Sequence, residues 1–327
     1  MEFKLNFSIA KPDFNIHHQH KILLVGSCFA SNIGDYLQLY KFKTCLNPCG
    51  IVFNPISVAN TFKFILSPDT LTDNYLFTRN GLWHSWMHHG SFNHHRLIDF
   101  KKKIVSSINN ANNFIHSADY IFITLGSAHA YKHLQLNEFV ANCHKMPANL
   151  FQKILLKPNQ VTETLGSTIK NIQFVNPNAK FVFTVSPVKY IKDGLHENNI
   201  SKGILHYAIN EICSEFKNTY YFPAYEIVND ELRDYRFYKP DFAHPTEQAV
   251  DYVWKRFCET YFNEQTNALT EEIRKIKSAM AHKPLHKDST EYKSFLSQML
   301  VKTQQLQNQH PEIDFTGELS YFGNSFN

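Results

Sequence analysis

Short apolar runs alternate with stretches of helical periodicity through the first 260 residues, and this alternation limits the fold more than any other feature. Residues 22–25, 120–125, 180–185 and 219–222 read as strands. Their nearly continuous apolar content predicts strands covered on both faces, as in a parallel sheet. Residues 28–40 read as the helix after the first strand. Val161, Leu165, Ile169 and Ile172 recur at helical spacing before Asn176-Pro177. Ser201 is expected to cap a helix carrying Leu205, Ala208, Ile209, Ile212 and Phe216, and Thr246 another carrying Val250, Val253, Trp254 and Phe257. The pattern predicts an α/β fold with right-handed crossovers.

The composition supports a large core. Of 327 residues, 43% are hydrophobic and 14% aromatic, which excludes a disordered chain. A net charge of +4, with Lys and Arg scattered, argues against nucleic acid as a partner. Six cysteines are too sparse for a disulfide scaffold. No secretory signal is read in MEFKLNFSIAKPDFN, and no window approaches eighteen uninterrupted apolar residues. The cytoplasm, with reduced thiols and no membrane contact, is the expected setting.

After residue 262 the texture changes. Leu269, Ile273, Ile276 and Met280 form one amphipathic stretch, and Tyr292, Leu296, Met299 or Leu300, and Leu306 another. Residues 1–262 are therefore read as the α/β domain and 263–327 as a helical extension packed on it or on a second subunit.

Two places carry residues suited to chemistry. Gly26-Ser27-Cys28 follows the first strand, so Ser27 is expected at the carboxyl edge of the sheet, where open α/β folds bind ligands. Free amides at the following helix N-terminus favour a negatively charged oxygen. Asp241 and His244 stand three apart between Pro240 and Pro245. That spacing lets a carboxylate hold one imidazole nitrogen while the other deprotonates a hydroxyl. Cys28 lies one residue further on, about 100° round a helix, and is read as a core cysteine, although a thiol at a helix N-terminus is a rival nucleophile. Cys45 and Cys49 lack a partner pair at metal-ligand spacing and are read as structural.

A serine on the first strand–helix turn with Asp-x-x-His before the last core helix resembles the SGNH/GDSL hydrolases. GSCFA at 26–30 is the name-giving motif of the GSCFA family, a branch similar to that superfamily. NPCGIVFNP (47–55), TLGSAHAY (124–131), VANCHKMP (140–147), TVSPVKY (184–190), DGLHENNISK (193–202) and YFPAYEIVNDELRDYRFY (221–238) extend the resemblance over nearly the whole chain. It implies a three-layer α/β/α fold around a mainly parallel, five-stranded sheet, and esterase or acyl-transfer activity on a small or carbohydrate-type ester. It implies Ser27 as nucleophile, His244 as base and Asp241 as the orienting acid. It also implies an oxyanion hole from the amides of Ser27 and Gly50 and the side chain of Asn142. The Gly-x-Asn-Asp block of the superfamily is replaced here by Gly126-Ser127-Ala128-His129.

Trp83, His84, His129 and Lys189 are expected to line the substrate cleft. His84, His88, His89, His94 and His95 fall within twelve residues, and His84 and His88 have the spacing of one helix face. No Glu separates them as in His-Glu-x-x-His, and Gly90 interrupts a helix there, so neither a metal nor another cofactor is expected. Two other readings stay open: a non-catalytic binding protein on the same fold, and a metal-dependent hydrolase using the 84–95 histidines.

Overall fold

Five parallel strands form the centre of the computed structural model, which describes residues 5–286 and 288–324. The start of the N-terminal stretch, at 1–4, and residues 287 and 325–327 of the C-terminal extension thus lie outside the described residues. The strands are β1 (Lys21–Gly26), β2 (Lys43–Leu46), β5 (Tyr120–Leu125), β9 (Lys180–Val185) and β10 (Thr219–Tyr221), in the order β10-β9-β5-β1-β2. Every pairing is parallel. β5 is buried at all six positions, and β1 and β9 at five of six.

Alternate residues of each strand serve opposite faces. Leu23, Val25, Ile121 and Ile123 pack with α2 (Pro55–Leu66), α3 (Leu97–Ile115), α4 (Pro158–Val175) and α5 (Leu195–Glu215). Ile22, Leu24 and Phe122 pack on the other face with α1 (Cys28–Leu39) and α7 (Glu247–Tyr261). A short turn, α6 (Ala224–Glu226), continues as a π-helical segment, Ile227–Leu232, between β10 and α7. The layers are α/β/α.

The C-terminal helices are α8 (Glu264–Ala281), α9 (Thr290–Gln309) and α10 (Thr316–Asn324). Their Ile273, Ile276, Leu296, Leu306 and Phe322, with Phe315 just before α10, join the same apolar cluster as Val253 and Phe257 of α7. Among the described residues no strand follows β10, and no helix is long and apolar enough to cross a membrane.

Several elements depart from the sequence expectations. β2 is a four-residue edge strand, too short and mixed to show as an apolar run. An antiparallel hairpin joins β3 (Leu76–Arg79) to β4 (Leu82–Ser85), so His84 lies on a strand and shares no helix face with His88. Asn80 (φ 50°) and Gly81 (φ 73°) make the two-residue turn, the left-handed pair that matches strand twist. β6 (His129–His133), β7 (Glu138–Val140) and β8 (Phe151–Leu155) form a second antiparallel sheet in the β5–β9 connection. Ser201 lies inside α5 rather than at its start, because the helix begins after Gly194, whose φ of 97° turns the chain. Its hydroxyl instead accepts from the Ala128 amide at 2.7 Å.

Candidate active site

β1 ends where it touches β5 most closely. A Cβ on Gly26 would sit 2.4 Å from the Thr124 carbonyl oxygen, so only glycine fits. The Gly26 amide donates to Asn47 Oδ1 at 2.8 Å, and the Ser27 amide to the Thr124 carbonyl at 3.0 Å. The chain then turns into α1. Ser27 keeps an extended backbone (φ −67°, ψ 175°) as the N-cap, and its Oγ accepts from the Phe29 amide at 3.2 Å. Ser27 is 1% exposed.

Cys28, the first residue of α1, is half-buried and stands on the wall of a cavity of about 720 Å³ at the carboxyl edge of the sheet. This corrects its reading as a core cysteine. The 100° offset of helical neighbours does not apply between Ser27 and Cys28, because Ser27 is not yet helical. Ile51, Phe53, Ser127, His129 and Tyr131 line one part of the cavity, and residues 188–193 another. Asp241, Ala243 and His244 complete the wall.

The 238–246 loop is pinned at its base. Lys239 N donates to the His244 carbonyl and Thr246 N to the Phe237 carbonyl, both at 2.8 Å, and Thr246 caps α7 as expected. The Lys189 amide donates to the Ala243 carbonyl at 3.1 Å, tying this loop to the segment after β9. Asp241 Oδ1 accepts from the amides of Ala243 and His244, each at 3.0 Å, and Oδ2 meets His244 Nδ1 at 2.7 Å. The two amides and the imidazole, with the His244 amide acting most strongly, hold the Asp241 carboxyl far below the usual carboxylate range. Nδ1 facing the carboxylate is thereby the protonated nitrogen, and Nε2 has no hydrogen-bond partner among the described residues. Both side chains are about half exposed, at 48% and 50%.

His129 and Lys189 reach this cavity. His129 Nδ1 lies 3.6 Å from Asp193 Oδ2, and Asp193 is bonded in turn by Lys153. Burial, then the Lys153 charge, push the His129 imidazole below its ordinary value. Lys189 Nζ sits 3.9 Å from the centre of the Tyr238 ring.

The remaining predicted site residues lie elsewhere. Asn142 Oδ1 accepts from the His144 amide at 2.7 Å, in a separate hollow of about 370 Å³ shared with Arg79, His84 and His89. Trp83 pairs its backbone with His94 and packs on Phe92 and Phe100. The Gly50 amide donates to the Asn47 carbonyl at 2.7 Å, closing the turn that carries Asn47. Both backbone amides expected in the oxyanion hole, those of Ser27 and Gly50, are therefore engaged within the fold. Ile51 N, on a residue of the cavity wall, has no backbone acceptor among the described residues, whereas the Cys28 amide faces its own thiol. Among those residues no group of three or more His, Cys, Asp or Glu is arranged to share a metal ion.

Lys202 is the residue that sequence reasoning missed. Buried on α5, it donates from Nζ to the carbonyls of Gly126 at 2.7 Å and Ser186 at 2.6 Å, joining the ends of β5 and β9 beneath the cavity. Burial pushes its ammonium down to about 7, opposed by the charge of Cys28. Its signal was a charge on an apolar stripe, since 202, 205, 209 and 212 share one helix face.

The model of the GSCFA family matches residues 21–257, from the first residue of β1 into α7, and so spans both the Gly26–Cys28 turn and the 241–244 loop. The chain belongs to the GSCFA family. A second model, the C-terminal domain of GSCFA domain proteins, matches residues 273–327. No curated protein matches this GSCFA chain. Two solved structures are similar to it in part. One is a protein from Streptococcus pneumonia, provisionally assigned as a platelet activating factor, at 12% identity and TM-score 0.34, covering 73% of this chain and 83% of that one. The other is the acetyl xylan esterase Est2A from the rumen bacterium Butyrivibrio proteoclasticus, at 8% identity and TM-score 0.38, covering 74% of this chain and 63% of that one.

Proposed function

We propose that this GSCFA chain is an ester hydrolase or acyl transferase acting at the cavity on the carboxyl edge of the sheet. The carrying observation is the 2.7 Å Asp241–His244 pair on the wall of a cavity that also holds the first residue of α1. Asp241 fixes the imidazole tautomer and stabilises the imidazolium. His244 Nε2 takes a proton from the attacking group and returns it to the leaving alkoxide. The Gly26–Cys28 turn supplies the attacking group, on which the sequence reading favoured the Ser27 hydroxyl. Charge on the tetrahedral oxygen falls at the positive end of α1, with the Ile51 amide of the cavity wall as a donor.

The substrate is a small ester, and a sugar ester suits the aromatic wall of Phe53, Tyr131 and Tyr190. Residues 1–262 carry the chemistry in this proposal, and 263–327 brace the face that carries α1 and α7. A cytoplasmic setting agrees with six free cysteines. The test is turnover of aryl acetates, longer acyl esters and acetylated sugars by the wild type and His244→Ala. Turnover of any of these that falls at least about 100-fold in the variant supports the reading. Equal rates for the two proteins, or no turnover of any ester, refute it.

A binding protein on the same fold is favoured by one observation, the engagement of the Ser27 and Gly50 amides. It predicts saturable binding of an intact ester without release of product.

A further inference from the structure

We propose that the nucleophile of this site is the Cys28 thiol and that Ser27 is its structural neighbour, an inference that rests on the acyl-transfer reading above. The two side chains have exchanged the places expected of them. Ser27 is 1% exposed, is absent from the cavity wall, and its Oγ is occupied in capping α1 through the Phe29 amide. Cys28 is half-buried and lines the same cavity as Asp241 and His244. Cys28 therefore borders the space a substrate would fill, on the same cavity as the base.

The surroundings suit a sulfur nucleophile. The Cys28 and Phe29 amides at the head of the twelve-residue α1 favour a thiolate, as do the more distant charges of Lys202 and Lys239. Burial outweighs them and raises the thiol above its ordinary value, so the resting group is protonated and needs a base at the moment of attack. The His244 imidazole is available for that role, with Nδ1 held by Asp241 and Nε2 unpartnered.

The step balances without a co-reactant. The Cys28 S–H proton passes to His244 Nε2 as sulfur bonds to the ester carbonyl carbon. The tetrahedral oxyanion collapses, the carbon–oxygen bond to the leaving group breaks, and the imidazolium returns the proton to the departing alkoxide. A thioester remains. Water, or a sugar hydroxyl, then gives its proton to His244 and attacks the thioester, breaking the carbon–sulfur bond and restoring the thiol.

The experiment mixes the intact wild-type chain with p-nitrophenyl acetate and locates the acetyl group by peptide mass spectrometry, alongside Cys28→Ala, Cys28→Ser, Ser27→Ala and His244→Ala. The expected result is an acetyl thioester on Cys28 that neutral hydroxylamine removes, kept in Ser27→Ala and lost in Cys28→Ala, whose turnover falls at least about 1000-fold. Iodoacetamide should also modify Cys28 in the folded wild type, more slowly in His244→Ala. Cys28→Ser keeps nearly the size of the side chain, so its melting curve shows whether the lost turnover is chemical. Acetyl on Ser27, or near-wild-type turnover by folded Cys28→Ala while His244→Ala is inactive, overturns the thiol assignment and leaves the hydrolase reading standing. Absence of both acetylation and turnover in the wild type overturns the hydrolase reading itself.

Discussion

His244 and His88 show how differently two histidines of the same chain are placed. His244 is half exposed on a cavity wall and gripped by a carboxylate at one nitrogen, with the other open to the cavity side and without a partner among the described residues, as is Nε2 of His88 in the core. His88 is fully buried. Its Nδ1 meets Ser85 Oγ at 2.9 Å, and burial pushes its imidazole down to about 3. His144 nearby is pushed to about 4, mainly by burial, and its Nε2 meets the Ser85 carbonyl at 2.8 Å. Of the dense histidine run at 84–95, His84 and His89 line the smaller hollow with His144, while one isolated histidine is held by a carboxylate on the larger cavity. Placement beside a carboxylate on a solvent-reached wall is the stronger signal, and local abundance is the weaker one.

The contrast breaks most sharply under substitution. His244→Ala is expected to lower ester turnover at least about 1000-fold, near 4 kcal/mol of transition-state stabilisation, while unfolding stability stays within about 0.5 kcal/mol, as for other exposed positions. His88→Ala should do the reverse. Chemical denaturation and initial rates on the same samples decide it, and equal loss of activity in the two variants would erase the distinction. Lys202→Met probes the floor of the cavity. Two buried carbonyls, Gly126 and Ser186, lose their donor, so stability should fall by about 2–4 kcal/mol, read as a lower urea midpoint with an unchanged slope.

Acid should act on the buried histidines next. The folded-state value of His88, about 3, lies below the ordinary 6.5, so the unfolded chain binds the proton more readily between those limits. Stability from this group is complete above pH 6.5 and is lost as the pH falls, by about 2 kcal/mol at pH 5. His88→Gln should flatten that part of the stability–pH curve, and an unchanged slope would contradict the assignment. The smallest effect is expected from the helix cap. Ser27→Ala removes the acceptor for the Phe29 amide and should cost about 1 kcal/mol, seen as a small drop in melting temperature.

Much of the fold was legible because the sheet is buried. β5, β9 and most of β1 are continuous apolar runs, and a strand covered on both faces has no polar positions to blur it. Thr246 was legible as a cap because its side chain does the local work its type suggests. The hairpin carrying His84 was signalled by Asn80-Gly81, but the histidine spacing pointed to a helix instead. β2 and the β6–β8 sheet are short and half exposed, so their side chains carry little periodicity.

The candidate site was legible where it is local and obscure where it is not. Asp241 and His244 meet through a three-residue turn whose amides also bind the carboxylate, and spacing alone announces that. The choice between Ser27 and Cys28 depends on where a helix begins, to within one residue, which sequence patterns resolve poorly. Asn142 and Gly50 are engaged by near neighbours in the chain, His144 and Asn47, in short turns that their residue types alone do not announce.

The most direct test of the central claim is the intact mass of the chain, quenched milliseconds to seconds after mixing with p-nitrophenyl acetate, for wild type and His244→Ala. The account predicts one acetyl group on the wild type, forming with a burst of nitrophenol, and none on the variant at matched times. An unmodified wild type, or equal acetylation of both proteins, would contradict a covalent mechanism driven by His244.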